Sequence, residues 1–190
     1  MSRKVLFNIK KAQAFKVASV SASGVPTYDT TKLLMPGMVS LELNTEGTSE
    51  PFYADGIVYY TAGAATSYTG TVENALLQQD FLVNIFKYFV DANGNLVETD
   101  ETPAEFGMQF AVDSDDGEVY FTLFRVSAQK PSHSFQTKED SATINPQSFD
   151  ITVMPITIGD GTNVIKSYAE NTASNYATYF DAITVPTRTE

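Results

Sequence analysis

The sequence predicts a mainly β protein of the α+β class, in which two packed antiparallel sheets form a sandwich or barrel beside one flanking helix. Three observations predict this class: several segments alternate apolar and polar residues, turn-forming residues separate them, and one segment has clear helical spacing. The chain has 190 residues, of which 43% are hydrophobic. This suits a single domain, 1–190, with a real core and with extended loops or terminal arms.

The strands are predicted from a period of two in the hydrophobic pattern. In residues 38–43 the apolar side chains, beginning with Val39, occupy every second position and would line one face of a half-buried strand. Residues 108–113 and 149–153 show the same alternation. In the first of these two segments Gln109 belongs to the polar, outward face.

Turns are predicted from glycine, proline and short polar residues. The sequence Ser-Asp-Asp-Gly at 114–117 separates two strand-like segments and predicts a tight hairpin, because glycine adopts the positive φ that such turns need. Residues 24–26 and 91–95 predict two further turns by the same chemistry.

One helix is predicted at about 80–89, where apolar residues recur every four positions from Phe81 to Phe89. Asp80 would be its N-cap or an acid of its first turn. Residues 175–183 have helical spacing of aromatic residues and predict a second, short helical turn.

Charge is unevenly distributed in this chain of formal net charge −11. Five of the twelve cations lie near the start: Arg3, Lys4, Lys10, Lys11 and Lys16. The interval between Lys87 and Arg125 has no lysine or arginine but has nine acids: Asp91, Glu98, Asp100, Glu101, Glu105, Asp113, Asp115, Asp116 and Glu118. The acids could attract the basic N-terminus of a neighbouring subunit, repel a passing nucleic acid, or form a solvated surface.

The residues carry little sign of catalysis or of a cofactor. The chain has no cysteine and one histidine, His133, so the usual ligands of a zinc site are lacking. No Gly-x-Ser-x-Gly motif supports a serine nucleophile, and residues 91–95 depart from the calcium-loop pattern. The carboxylates of 113–118 could bind a cation weakly, but a hairpin turn explains them better. We therefore expect a protein that is not an enzyme, with no cofactor and no membrane span.

Two segments look suited to contact with a neighbouring subunit. Residues 44–51 form a polar stretch that is expected to be a loop, and 171–190 are poor in charge and rich in threonine, alanine and tyrosine. Exposed sheet edges must be capped, charged or paired, and pairing between subunits closes rings.

Several segments resemble the major tail proteins of siphophages that infect Gram-positive hosts: 36–43, Glu46, 50–56, 68–73 and 137–141. The resemblance covers roughly residues 35–160. It implies a tail-tube fold whose copies stack as rings, usually hexamers, around a channel for double-stranded DNA. It also implies a virion protein of the phage tail, made in the host cytoplasm, with tape measure, tail terminator and baseplate proteins as partners.

The resemblance further implies a long loop that reaches the adjacent ring. Our candidate contacts are Asn44, Glu46, Glu50 and Pro51, and 171–190 is the candidate C-terminal arm. DNA carries about one charge per 1.7 Å of its axis, so an acidic channel wall would let it slide. The candidate channel acids are Asp91, Glu98, Asp113, Asp115, Asp116 and Glu118.

Two other classes of function remain open from the residues. A monomeric β-sandwich that binds carbohydrate or acts as an adhesin is compatible with ten tyrosines, although the absence of tryptophan weakens it. An enzyme acting through paired carboxylates is the third class, and 23 acids make such pairs available without indicating one.

Overall fold

The computed structural model describes residues 5–54, 57–133 and 146–188, with the backbone alone for 48–54 and 57–66. The resembling segment 137–141 lies outside the described residues. Thirteen strands and one α-helix are described: β1 (Leu6–Val20), β2 (Pro26–Tyr28), β3 (Leu33–Leu34), β4 (Met38–Ala54), β5 (Ile57–Asn74), α1 (Gln79–Asn84), β6 (Phe89–Val90), β7 (Leu96–Val97), β8 (Phe106–Ser114), β9 (Gly117–Ala128), β10 (Gln147–Met154), β11 (Ile156–Thr157), β12 (Asn163–Val164) and β13 (Lys166–Ala169).

Nine strands form one antiparallel sheet, which confirms the mainly β class. Its main path runs β2-β1-β8-β9-β10-β5-β4, with β3 also paired to β1 and β13 to β9. Two small sheets, β6-β7 and β11-β12, complete the described strands. Because β1 and β4 lie far apart on the path yet line one cavity, the sheet curls around its core. The strands that face each other across the core therefore belong to one curled sheet.

The single α-helix covers the core with a cluster of aromatic rings. Phe81 lies edge to face with Phe86 and with Phe106, both at 5.6 Å between ring centroids, and Phe86 lies 5.4 Å from Phe149. All four rings are buried. Such pairs add to the stabilisation from apolar burial, so the helix is anchored although it is only six residues long.

The helix is shorter than the spacing predicted. It ends at Asn84, and Lys87 adopts a positive φ of 62°, which takes the chain out of the right-handed helix. Phe89, expected on the apolar helix face, is instead the exposed first residue of β6. Asp80 is confirmed as an acid of the first turn.

The predicted strands and turns are largely confirmed. Residues 108–113 lie in β8 and 149–153 in β10, and Ser114 pairs with Gly117 across the predicted hairpin turn. The turns at 24–26 and 91–95 are also present. The expected helical turn at 175–183 is a 3₁₀ turn over Tyr176–Thr178.

The burial of two side chains differs from the prediction. A β-bulge between Met38 and Ser40 shifts the register of β4, so Val39 is exposed rather than buried. Gln109, predicted to face outward, is 1% exposed. The C-terminal segment covers that face of β8, and a period of two in one strand cannot reveal such a cover.

Candidate assembly surface

The longest extension of the fold is a two-stranded ribbon. β4 and β5 pair from Met38 and Asn74 outward to Ala54 and Ile57, whereas β10 pairs with β5 only as far as Tyr68. In the described ladders, β5 from Ser67 outward therefore pairs with β4 alone. At about 3.3 Å per residue, the nine β4 residues of this outer part, 46–54, span about 30 Å. A two-stranded hairpin is at best marginally stable in water, so the outer ribbon gains from a partner surface.

The base of the ribbon is tightly paired. Gly70 lies in β5 between β4 and β10, and a Cβ at this position would overlap the carbonyl oxygen of Glu42. The close approach of the two backbones requires glycine here. The ribbon is therefore tightly packed where it leaves the sheet.

Residues 44–51 lie in strand β4, which corrects the expectation of a loop. Asn44 donates a hydrogen bond to Glu42, at 3.2 Å, and Glu46 accepts one from Thr69, at 2.9 Å. The backbones of Glu50 and Pro51 pair with Ala62 and Thr61. Polar composition suggested a loop, but the returning strand directly after it supplies the backbone partners. Contact of these residues with another ring stays a prediction.

The outer edge of β4 is the end of the main sheet path. In the ladders that the structure describes, β4 pairs with β5 on one side and with no strand on the other. An open edge of this length is a site for association with another chain unless it is blocked.

The basic N-terminal region meets the acidic hairpin within one chain. Lys10 forms ion pairs with Asp113, at 2.5 Å, and Glu118, at 2.9 Å, and Lys11 approaches Glu118 to 2.6 Å. Asn8 donates to Asp113 at 2.7 Å. The attraction predicted from charge therefore acts inside the subunit, at the β8-β9 hairpin.

Two irregularities in β1 make this arrangement possible. Successive side chains of a regular strand point to opposite faces, yet the neighbouring lysines reach the same carboxylate. The β1-β8 register shifts between Phe7 and Ile9 and between Lys10 and Gln13. Within these shifts Asn8 has φ 61° and Lys11 φ 54°, in the left-handed region. The bulges re-aim the lysines toward the hairpin.

The six candidate channel acids fall into two groups. Asp113, Asp115, Asp116 and Glu118 lie at or beside the β8-β9 turn, whereas Asp91 and Glu98 lie on or beside the β6-β7 hairpin. Asp91 accepts hydrogen bonds from the backbone of Asn93 and Asn95, and Glu98 lies 3.5 Å from Lys130. Which of the six faces a channel stays a prediction.

The ion pairs at the hairpin predict a loss of stability in acid. Hydrogen bonds from Lys11 and Lys10 lower the pKa of Glu118 from 4.5 to about 2. A depressed folded-state pKa stabilises the fold above the ordinary value and loses this effect as the pH falls toward the folded value. Since the Glu118 side chain is 22% exposed, solvent screening limits the contribution to about 1 kcal/mol.

Urea unfolding of the wild type and of Glu118→Gln, at about pH 6 and about pH 2.5, measures this effect. We expect the pH dependence of the unfolding free energy to be about 1 kcal/mol smaller in the variant. Asp115→Asn, in the same turn but outside the described ion pairs, is the matched control and should leave that dependence unchanged. Equal pH dependence in Glu118→Gln and the wild type would contradict the assignment.

A row of buried polar side chains holds the C-terminal segment on the sheet. Gln13, Gln109 and Thr122 are paired neighbours on β1, β8 and β9. Gln109 accepts a hydrogen bond from Gln13 at 2.9 Å and donates one to the carbonyl of Tyr179 at 2.8 Å. Gln13 also donates to the carbonyl of Phe180 at 2.7 Å. The two amides clamp a backbone that is far away in sequence.

The clamped segment packs on its own subunit. Tyr179 and Ile183 are buried, and Tyr176 stacks on Tyr120 with ring centroids 4.2 Å apart. This part of the candidate arm, 171–190, therefore completes the core of its own chain. A contact of the arm with a neighbouring copy stays a prediction.

An apolar groove lies between strands β1 and β4 of the curled sheet, and no pattern in the sequence indicates it. It has a volume of about 530 Å³ and is lined by the start of β1, the start of β4 and parts of β8 and β9. Leu6, Phe7 and Val39 lie along it and are half exposed. Only the curling of the sheet brings these sequence-distant residues together.

The residues that bear on catalysis and metal binding are the sole histidine and the carboxylates. The described residues contain no group of three or more His, Cys, Asp or Glu that could hold a metal ion. His133 is exposed beside β10, where its ring lies 3.4 Å from the side chain of Gln147. Among the helices in the described part of the chain, none is long and apolar enough to cross a membrane.

Comparisons with known proteins give distant structural similarities. No protein-family model and no curated protein matches the chain. A chain of the 6-fold symmetrised cryo-EM structure of the anti-feeding prophage baseplate has 7% identity and a TM-score of 0.42, over 89% of this chain and 97% of that one. A type six secretion system protein has 10% identity and a TM-score of 0.37, over 83% and 91%. Hcp1 from Salmonella typhimurium has 8% identity and a TM-score of 0.33, over 83% and 93%. TM-scores below 0.5 do not establish a common fold.

Proposed function

We propose that this chain is a structural virion protein that self-assembles into stacked rings, which form the tail tube of a long-tailed siphophage. The tube conducts double-stranded DNA into the host cell. The tape measure, tail terminator and baseplate proteins are its further partners. The rings are hexamers, as the resemblance to major tail proteins implies.

The observation that carries the proposal is the β4-β5 ribbon. Its outer part pairs with no third strand in the described ladders, and β4 leaves an open edge along the main sheet. Both features favour association with further copies. The segments that resemble major tail proteins include the base of the ribbon, 38–43 and 68–73, and parts of its outer β4 strand, Glu46 and 50–54, which supports the same conclusion.

The charge distribution is compatible with a DNA conduit. Asp113 and Glu118 are already balanced by lysines, so they contribute less to a repulsive wall than the count of acids suggested. Asp115 and Asp116 are exposed at the turn and are candidates for the channel surface. A net negative wall would avoid the tight binding that counterion release gives to cationic surfaces.

Negative-stain electron microscopy of the purified protein over a range of concentrations tests the proposal. We expect rings or tubes about 100 Å wide, as several domains of this size around a channel would give. A protein that stays monomeric at every concentration would contradict it and favour a monomeric binding module. A channel with net positive charge would contradict the conduit.

A further inference from the structure

Two clusters of exposed apolar side chains stand out among the described residues. The first lines the groove and comprises Leu6, Phe7 and Val39, which are 50–52% exposed. The second set lies on the β6-β7 hairpin, with Phe89 on one face and the paired Val90 and Leu96 on the other, and these side chains are 38–49% exposed. Clustered exposed apolar residues indicate contact sites, whereas scattered ones do not.

The lining of the groove suits a protein segment that carries both apolar and acidic side chains. Phe110, Phe121 and Leu123 contribute further apolar lining. Lys166 is the one charged residue among the lining residues, and its ammonium lies 4.4 Å from the ring centroid of Tyr68. A ligand of this groove therefore gains from apolar side chains and from negative charge nearby.

The β6-β7 hairpin has the complementary character. Its turn is fixed by the Asp91 carboxylate, and the carbonyl of Lys87 at its base accepts a hydrogen bond from Thr99 at 2.9 Å. Four acids lie on or shortly after this hairpin in the sequence, namely Asp91, Glu98, Asp100 and Glu101, and of these Glu98 lies 3.5 Å from Lys130. A projection held in place loses little conformational entropy when it binds.

We propose that the β6-β7 hairpin of one copy inserts Phe89 into the β1-β4 groove of the next copy, with its acids near Lys166. The two surfaces differ, so the contact is heterologous and propagates from copy to copy until a ring closes. This inference rests on the proposed assembly into rings and names the two surfaces that would form the contact within a ring.

Cysteine cross-linking tests the pairing, because the natural chain has no cysteine. Val39→Cys and Val97→Cys proteins are mixed under assembly conditions and treated with a short bismaleimide. Val97 lies directly opposite Phe89 in the β6-β7 ladder, so the probe keeps Phe89. We expect a cross-linked dimer in the mixture and little in either protein alone. Leu76→Cys, at an exposed position outside both clusters, replaces Val97→Cys in the control and should give little product. Equal cross-linking in control and test mixtures would overturn the proposal.

A second measurement distinguishes the proposed hairpin-groove contact from ring formation in general. Phe89→Ser should raise the concentration needed for ring formation by at least about tenfold, since apolar anchors dominate binding. Leu76→Ser loses a comparable exposed apolar side chain and should leave that concentration unchanged. If the wild type forms rings and Phe89→Ser forms them equally well, the pairing is wrong and the tube function stands. If the wild type forms no rings, the proposed function itself fails.

Discussion

Replacement of the outer ribbon by a two-residue turn is expected to abolish tube formation while leaving the domain folded. Ser49 and Gly63 are paired across β4 and β5, so they can be joined by Asn-Gly in place of residues 50–62. Asn-Gly favours the turn that connects two-residue hairpins. The shortened protein keeps the whole of the β5-β10 ladder, which runs from Asn74 to Tyr68.

The expected result follows from the strand pairing of the removed residues. The removed residues pair only with each other in the described ladders, so their loss costs the sheet no third-strand pairing. We expect the melting temperature to stay within about 3 °C of the wild type, a change of under about 1 kcal/mol. Tubes should be absent in negative-stain images at concentrations where the wild type forms them.

The control keeps the ribbon at full length and introduces the same Asn-Gly pair into the sequence between β4 and β5. Asp55→Asn creates Asn-Gly with Gly56 and should assemble as the wild type does. Tubes formed by the shortened protein would show that the outer ribbon is not needed for stacking. A large drop in melting temperature would show instead that the ribbon supports its own domain.

The fold was predictable where local chemistry decides the structure. Residues 108–113 and 149–153 form strands because their alternation matches the pleat, and 114–117 forms a turn because short polar residues and glycine allow no better alternative. The predicted helix was too long because spacing alone cannot reveal the positive φ at Lys87. Local pattern therefore predicted the elements better than their ends.

The assembly surface was less predictable, because it depends on contacts between distant segments. Charge alone indicated attraction between the basic N-terminal region and the acidic hairpin, but the bulges that bring Lys10 and Lys11 to Glu118 arise from the β1-β8 register. The groove likewise exists only because the sheet curls. Residues 44–51 form a strand rather than the expected loop, because a polar composition suits an exposed ribbon as well as a loop.

Replacement of Gln109 by leucine is expected to destabilise the protein by about 3 kcal/mol. Leucine has a similar volume, but it leaves the carbonyl of Tyr179 and the amide of Gln13 without this partner in a buried site. Each buried polar group deprived of its partner costs about 1–3 kcal/mol. Urea unfolding measures the loss, and Gln129→Leu, the same change at an exposed position, should stay within about 0.5 kcal/mol of the wild type.

The same variant should loosen the C-terminal segment before the rest of the domain unfolds. Gln109 donates to the carbonyl of Tyr179 and Gln13 to that of Phe180. Loss of Gln109 therefore removes the first hydrogen bond and leaves the second in place. Hydrogen exchange over 176–183 should accelerate more than exchange over β10, which pairs with β5 and β9 away from the clamp. Uniform acceleration along the chain would show that the glutamine supports the core as a whole. Unchanged exchange together with unchanged stability would show that the buried row of amides does not hold the segment.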